Sequence, residues 1–536
     1  MSAATNISQP ELGALFPGRI TEAPGFRTRM GSITRQSFVY FAGTILTAAA
    51  GYFFKIYLAR ALGAEALGLY ALGMTIVGFV GLFDTLGLPT AAARFVAAYS
   101  AKSESSRLIE FLRSGVVLLV ALNVLLGTVI LIVGPWLATH FYHSPELGHY
   151  FWAFAAIMGL GVLNVFLGQV MGGYKDVARR TLVTHFIGTP TNIAVAVLLI
   201  SMGFGLSGYL FAQVIAATLV LGLLGFFVSR MTPGLASRKT GWRGLWPVRF
   251  ERHVVSFSAA AAGMTALQFA FGQADVIVLG HYVSARQVGI YAVAMALVGF
   301  VPVALDSVNQ IFSPMISELH TAGNRSLLQQ LYSTLTKWIV VLTFPLVLTL
   351  IFFPRELMSI FGPAFELGAG VLVLGTIGQL FNCSVGSVGY LLLMSGNQKE
   401  LIRIQATTAA LLIGLNLLLI PRMGIMGAAV AVMTSTITTN VWGLISVRRL
   451  LNIFPYHTGH LRLLLPAVTT AGCVFVLSRA ALAFARPWEV AGIGLILSYA
   501  MFLGAISLVA FEDADRELAR LAWGRIGRSF RKLAIA

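Results

Sequence analysis

The sequence predicts an all-α polytopic membrane protein of about fourteen transmembrane helices: two six-helix lobes related by pseudo-two-fold symmetry, plus two C-terminal helices. Three observations carry that prediction. Of 536 residues, 57% are apolar and only 11% are Asp, Glu, Lys or Arg, against roughly 25% in soluble domains. Fourteen stretches reach the roughly 20 apolar residues that a helix needs to cross a hydrocarbon layer. The first half of the chain also recurs in the second at an offset of about 220 residues.

A polar tail, 1–37, comes first; it has no short apolar run before a cleavage site, so the mature chain is expected to start here. The N-terminal lobe, 38–229, holds apolar stretches at 38–58, 67–88, 114–133, 150–170, 182–201 and 206–229. A basic linker, 230–253, has six Lys and Arg and one acid, Glu251, and reads as lying on an anionic leaflet between the lobes. The C-terminal lobe, 254–447, has stretches at 254–280, 288–311, 338–353, 369–394, 402–420 and 425–447, and 448–511 adds 463–484 and 490–511. The tail, 512–536, places Ala519, Trp523, Ile526 and Phe530 at helical spacing among six cations, the pattern of an interfacial amphipathic helix.

Orientation follows from the cations, which concentrate in cytoplasmic connections. With the N-terminus inside, 30 of the 37 Lys and Arg lie on the inner side, so both termini are expected in the cytoplasm. The net charge of +17 is then a topology signal rather than the mark of a nucleic-acid partner. Every connection is short, which leaves no loop large enough for the catalytic groups of a membrane glycosyltransferase or polymerase, and no enzymatic activity is expected. A purely scaffolding role would leave charge inside the membrane unexplained. Cys383 and Cys473 have neither metal nor disulfide spacing, and no cofactor is expected. His140, His143 and His149 in an outer loop have only Glu146 beside them, so they read as exposed histidines rather than metal ligands.

Residues 57–80 align without a gap on 278–301, with ten of 24 positions identical, among them Ala64 with Ala285, Gly68 with Gly289 and Tyr70 with Tyr291. At a slightly different offset of 219, Gly205–Gly208 answers Gly424–Gly427 and Pro135 answers Pro354. An even number of spans separates the copies, so both have the same orientation and are related by an axis along the membrane normal. A symmetric pair around a central cleft suits alternating access by rocking of the lobes.

Apart from Arg403 and Arg479, which count with the cations of the neighbouring connections, four charged residues fall inside the apolar stretches: Lys55, Asp84, Asp275 and Asp306. Intramembrane charge costs roughly 2.5–3.5 kcal/mol near a helix centre and usually faces a wet cavity or a partner. Lys55 and Asp275 differ by one position after the repeat offset, and are expected to pair across the cleft as an outer gate; snorkelling to the interface is the plainer alternative. Asp84 and Asp306 are similarly related and are expected near inner, C-terminal helix ends, where a carboxylate needs a cation such as Arg94 or a proton. All three acids are candidates for gating or ion coupling.

The segment Ile56–Tyr99, IYLARALGAEALGLYALGMTIVGFVGLFDTLGLPTAAARFVAAY, resembles the N-terminal signature of Wzx-type polysaccharide flippases, and Gln273–Val301 resembles the equivalent second-lobe signature. That family belongs to the multidrug/oligosaccharidyl-lipid/polysaccharide exporter superfamily, and the resemblance extends from about Thr34 to Phe511. It implies a two-lobe cleft in the inner membrane of a bacterium and a lipid-linked oligosaccharide substrate, carried on undecaprenyl pyrophosphate for surface polysaccharide assembly. Membrane lipids and other polysaccharide assembly proteins are the implied partners. A buried pyrophosphate needs cations. The candidates are Lys55 deep in the cleft, Arg60 at the outer mouth, and Arg94 and Arg35 at the inner mouth; for Arg35 a topology role is the simpler reading. His185 and His281 are weaker candidates. A lipid II flippase is expected to carry more cations along its first two helices. A cation-coupled drug antiporter would favour an acidic cavity, which three acids to one lysine keep in play.

Overall fold

The computed structural model describes residues 26–232, 250–456, 460, 462–480 and 487–509, which are helical almost throughout. The tail before Phe26, residues 233–249 of the linker and the amphipathic tail after Val509 lie outside the described residues. "Outer" and "inner" name the two faces by the orientation that the cation bias predicts.

Helix α1 runs from Phe26 to Asp84, beginning well before residue 38, and carries the first two predicted spans as two limbs that break at Gly63. Then come α2 (Leu88–Ala101), α3 (Ser105–Trp136), α4 (Phe151–Gly173), the short α5 (Val177–Thr181), α6 (Thr189–Ser201) and α7 (Gly205–Met231). The second half supplies α8 (Arg252–Tyr282), α9 (Ala285–Val298), α10 (Val303–Thr321), α11 (Arg325–Phe352), α12 (Pro354–Ser359), α13 (Ala369–Val385), α14 (Val388–Met394), α15 (Gln398–Met423) and α16 (Ile425–Leu451). Helices α17 (Leu464–Ala480) and α18 (Pro487–Val509) are the last of the described elements. They pack on the outside of α11, with Phe502 5.0 Å from Phe344 between ring centroids.

Among the described residues, ten helices are long and apolar enough to cross a membrane, and α9 with α10, bent by 50°, makes an eleventh. The first predicted span is not counted apart from the second because α1 carries both, and the seventh and thirteenth correspond to α8 and α17.

The repeat is visible in the backbone. Gly63 leaves helical geometry at φ 80°, ψ 173°, and Ser284, one repeat later, is extended at φ −66°, ψ 154° between α8 and α9. Gly205 and Gly424 open α7 and α16 with φ of +54° and +55°, a left-handed conformation that glycine adopts without a Cβ penalty. Pro135, which denies α3 a ladder hydrogen bond, is followed by a π-helical turn, Leu137–Phe141, and a 3-10 turn, Pro145–Tyr150. Pro354 starts α12, which leads to the matching 3-10 turn, Pro363–Gly368.

The repeats meet at the outer face where α1 crosses α9. A Cβ on Gly68 would lie 1.6 Å from the Ala285 carbonyl oxygen, and one on Gly289 would lie 1.9 Å from that of Ala64. Because Ala64 and Ala285 are themselves repeat partners, the contact is reciprocal, as an isologous interface requires. Toward the inner face, the first half of α8 lies against α2, where a Cβ on Gly87 would come 2.1 Å from the Ser258 carbonyl oxygen. Arg107 and Glu251 approach to 3.6 Å nearby. The outer and inner ends are therefore both bridged.

Candidate functional site

Between the two limbs of α1, the start of α7 and the C-terminal half of α9 lies a cavity of about 610 Å³. Its walls include Tyr52, Lys55, Tyr70, Tyr209, Phe300 and Phe361, with the small residues Gly51, Ala71, Ala292 and Ala296 between the rings. Gly63 sends the second limb of α1 back alongside the first, which brings Leu58 and Leu67 to the same wall. Tyr70 is fixed by a 2.9 Å hydrogen bond donated by Gln213 Nε2, and Tyr52 meets Phe300 edge-on at 5.1 Å. Lys55 is exposed to this space and is the one formally charged group among its described lining residues. Chemically this is a point cation in an aromatic, largely apolar chamber, suited to an anionic group attached to an apolar or sugar moiety. The volume suits a small molecule or a head group, not an entire lipid-linked oligosaccharide.

Asp275 does not pair with Lys55. It is buried, with one oxygen accepting from the Tyr291 hydroxyl and the other from the Val276 amide at 2.8 Å. The predicted cross-cleft pair is thus replaced by a bond within the second repeat: Tyr291 lies on α9, one segment away, and reaches the carboxylate first.

Asp84 and Asp306 are also separated. The inner half of the second span breaks at Thr85–Gly87, so Asp84 ends α1, as expected. In the other repeat the break falls earlier, at Gly299–Pro302, so Asp306 stands in the first turn of α10 instead of at a C-terminal end. The helix dipole there favours a carboxylate, reversing the expectation. Asp84 is 1% exposed and its Oδ1 has no hydrogen-bond partner, whereas Asp306 is exposed. Arg94, expected to compensate Asp84, instead lies 4.6 Å above the Phe257 ring of α8, a cation–π contact between the repeats. Arg60 Nε donates to the Ile360 carbonyl at 2.7 Å. Arg35 falls within α1, but its side chain lies outside the described ones.

One intramembrane charge is absent from the sequence prediction. Lys337 is 3% exposed in the middle of α11, because that helix begins at Arg325 instead of 338. The legible signal is Asn324, whose side chain caps the Leu327 amide and marks the start. The outer-loop histidines point to separate partners: His140 stacks on Trp136, His149 reaches the Glu146 carbonyl, and His143 faces His281. Among the described residues no group of three His, Cys, Asp or Glu is arranged to hold a metal.

Comparison with known proteins adds ancestry to this geometry. A family model described as "Polysaccharide biosynthesis protein" matches residues 57–364, more than half of the chain. A probable flippase of Haloferax volcanii is 22% identical over 420 residues, covering 76% of this chain and 81% of its own length. An uncharacterized membrane protein of Methanocaldococcus jannaschii is 22% identical over 372 residues, 65% of this chain and 71% of its own. Among solved structures, a lipid II flippase in an inward closed conformation superposes with a TM-score of 0.69 at 15% identity, over 90% of this chain and all of the other. An inward-facing multidrug transporter of the MOP superfamily gives 0.58 at 15% identity, over 75% of this chain and 94% of the other.

Proposed function

Since the chain belongs to the polysaccharide biosynthesis protein family and is a multi-pass membrane protein with the fold of MOP-superfamily transporters, we propose that it is a flippase for an undecaprenyl-pyrophosphate-linked oligosaccharide. It acts in the inner membrane of a bacterium, with both termini in the cytoplasm, and serves surface polysaccharide assembly by alternating access. The observation that carries this reading is Lys55: exposed, in no ion pair among the described residues, and facing an aromatic chamber between the two repeats. A phosphate needs such a cation once it leaves water. Lys55 holds the pyrophosphate, the aromatic walls take the adjoining sugar and isoprenoid carbons, and the chamber enlarges when the repeats part. Arg94 and Arg35 lie on the inner approach, while Asp84, Asp275 and Asp306 serve gating or ion coupling.

The drug-antiporter alternative asks for accessible carboxylates in the cavity, yet Asp84 and Asp275 are buried and the exposed Asp306, like them, does not line the chamber. A lipid II flippase shares the pyrophosphate chemistry and differs in the sugar. Deletion followed by lipid analysis tests the proposal. Accumulation of the complete lipid-linked repeat unit on the inner leaflet is the expected result; truncated sugar chains would indicate an enzyme, and accumulated lipid II would transfer the reading to peptidoglycan precursors.

A further inference from the structure

By sequence Arg60 is a candidate substrate cation, but its geometry has a counterpart that a substrate role does not explain. Its Nε donates to the carbonyl of Ile360, in the outer segment that follows α12. One repeat later, 221 positions on, stands His281, whose Nδ1 donates at 2.8 Å to the carbonyl of Phe141, in the outer segment that follows α3. Phe141 and Ile360 are themselves partners at the offset of 219 that relates Pro135 to Pro354. Each side chain therefore leaves the last turn of the first helix of one repeat and grips the equivalent carbonyl in the other. The next residues repeat the pattern: Phe361 meets Tyr52 of α1, and Tyr142 covers Gly280 of α8, so closely that a Cβ there would lie 2.4 Å from its ring. After them, His143 and Gly362 both turn through positive φ.

We infer that Arg60 and His281 are a symmetry-related pair of outer latches, each pinning the outer segment of the opposite repeat, and that opening the cleft outward requires both bonds to break. Phe361 lines the Lys55 chamber, so the Arg60 latch holds the chamber's outer wall in place. Arg60 is then a positioning residue for the gate and not a ligand for the pyrophosphate. This rests on the alternating-access part of the proposed function, but not on the identity of the substrate.

The test is a distance measurement on the full chain in lipid nanodiscs without substrate. Spin labels replace the exposed Glu146 and Glu366, one on each outer segment, in a Cys473→Ser background. Wild type gives mainly the short distance. Arg60→Ala raises the long-distance population about tenfold, the effect of losing a hydrogen bond with a charged donor, and His281→Ala raises it about twofold to tenfold. The exchange Arg60→His with His281→Arg keeps both latches and stays within about twofold of wild type. Arg60→Lys keeps the charge and guards against a folding defect; it falls between wild type and alanine. Unchanged populations in both alanine variants, or an exchange variant that behaves like the double alanine, overturn the inference. A failure of the flippase reading would appear in the lipid analysis and leave these substrate-free distances unaltered.

Discussion

The crossing of Gly68 and Gly289 permits a quantitative perturbation. A methyl group added by Gly68→Ala would lie 1.6 Å from the Ala285 oxygen, and one added by Gly289→Ala 1.9 Å from the Ala64 oxygen. Carbon and oxygen in close backbone contact stand about 3.3 Å apart, so α1 and α9 must separate locally by about 1.7 Å in the first variant and about 1.4 Å in the second. Neither contact involves a side chain that can turn away. Overpacking of this kind costs about 1–3 kcal/mol, and it is charged only to the state in which the outer ends touch, which shifts the equilibrium toward outward opening by about fivefold to 150-fold. Because either methyl opens the same gap, the double variant should cost clearly less than the sum of the two single ones. The assay is the rate at which a cysteine at position 52, in the chamber wall, reacts with an impermeant thiol reagent added from outside, in a Cys473→Ser background. The expected rise is fivefold or more for each glycine variant. A loss of thermal stability with no rise in labelling would refute the reasoning and make the crossing structural support alone.

Three other perturbations address the charges. Lys55→Ala should lower restoration of surface polysaccharide in a deletion strain at least tenfold, while Lys55→Arg retains most of it; equal activity of the two would remove Lys55 from the substrate site. Asp275→Ala leaves the Tyr291 hydroxyl buried without its acceptor, at a cost of about 1–3 kcal/mol in thermal unfolding, whereas Asp275→Asn, which keeps an acceptor oxygen, should cost less than half as much. Asp84→Asn removes the charge from a carboxyl whose Oδ1 has no partner, so stability should hold or rise while transport falls; full transport would exclude Asp84 from coupling.

What the sequence revealed and what it concealed have physical causes. Apolar length and the internal repeat are properties of many residues at once, and they place helices without knowledge of packing. The identical glycines in the repeat are legible because only a missing side chain lets two backbones touch, and Gly68 and Gly289 lie at such a contact. The pairing of charges is different: it depends on a few ångströms of helix register. The breaks at Thr85–Gly87 and Gly299–Pro302 fall at different places in the two repeats, so the offset that relates Asp84 to Asp306 in sequence does not carry them to equivalent positions in space. Lys337 is hidden in the sequence because the lysine itself ends the apolar run, although Gly323 and Asn324 mark where the helix begins.

The two copies agree and differ in a way that bears on mechanism. The shared features are mechanical: the breaks at Gly63 and Ser284, the reciprocal glycine crossing, the outer segments and the side chains that grip them. Chemistry sits where the copies diverge. At the offset of 221, Lys55 answers Val276 and Asp275 answers Phe54, so the first repeat presents a cation to the chamber while its counterpart in the second is an apolar side chain buried away from it. The second repeat instead buries a carboxylate against Tyr291, while Tyr70 in the first takes its hydrogen bond from Gln213. On the proposed alternating-access reading, a substrate anion held by Lys55 would be bound by one repeat alone. Rocking would then move the opposite wall past a fixed head group. Moving the cation across, by Lys55→Val with Val276→Lys, should accordingly fail to restore transport, because residue 276 is nine-tenths buried in the second repeat and does not line the chamber. Restored transport in that exchange would show that the two walls are equivalent for the substrate and that the asymmetry has no functional weight.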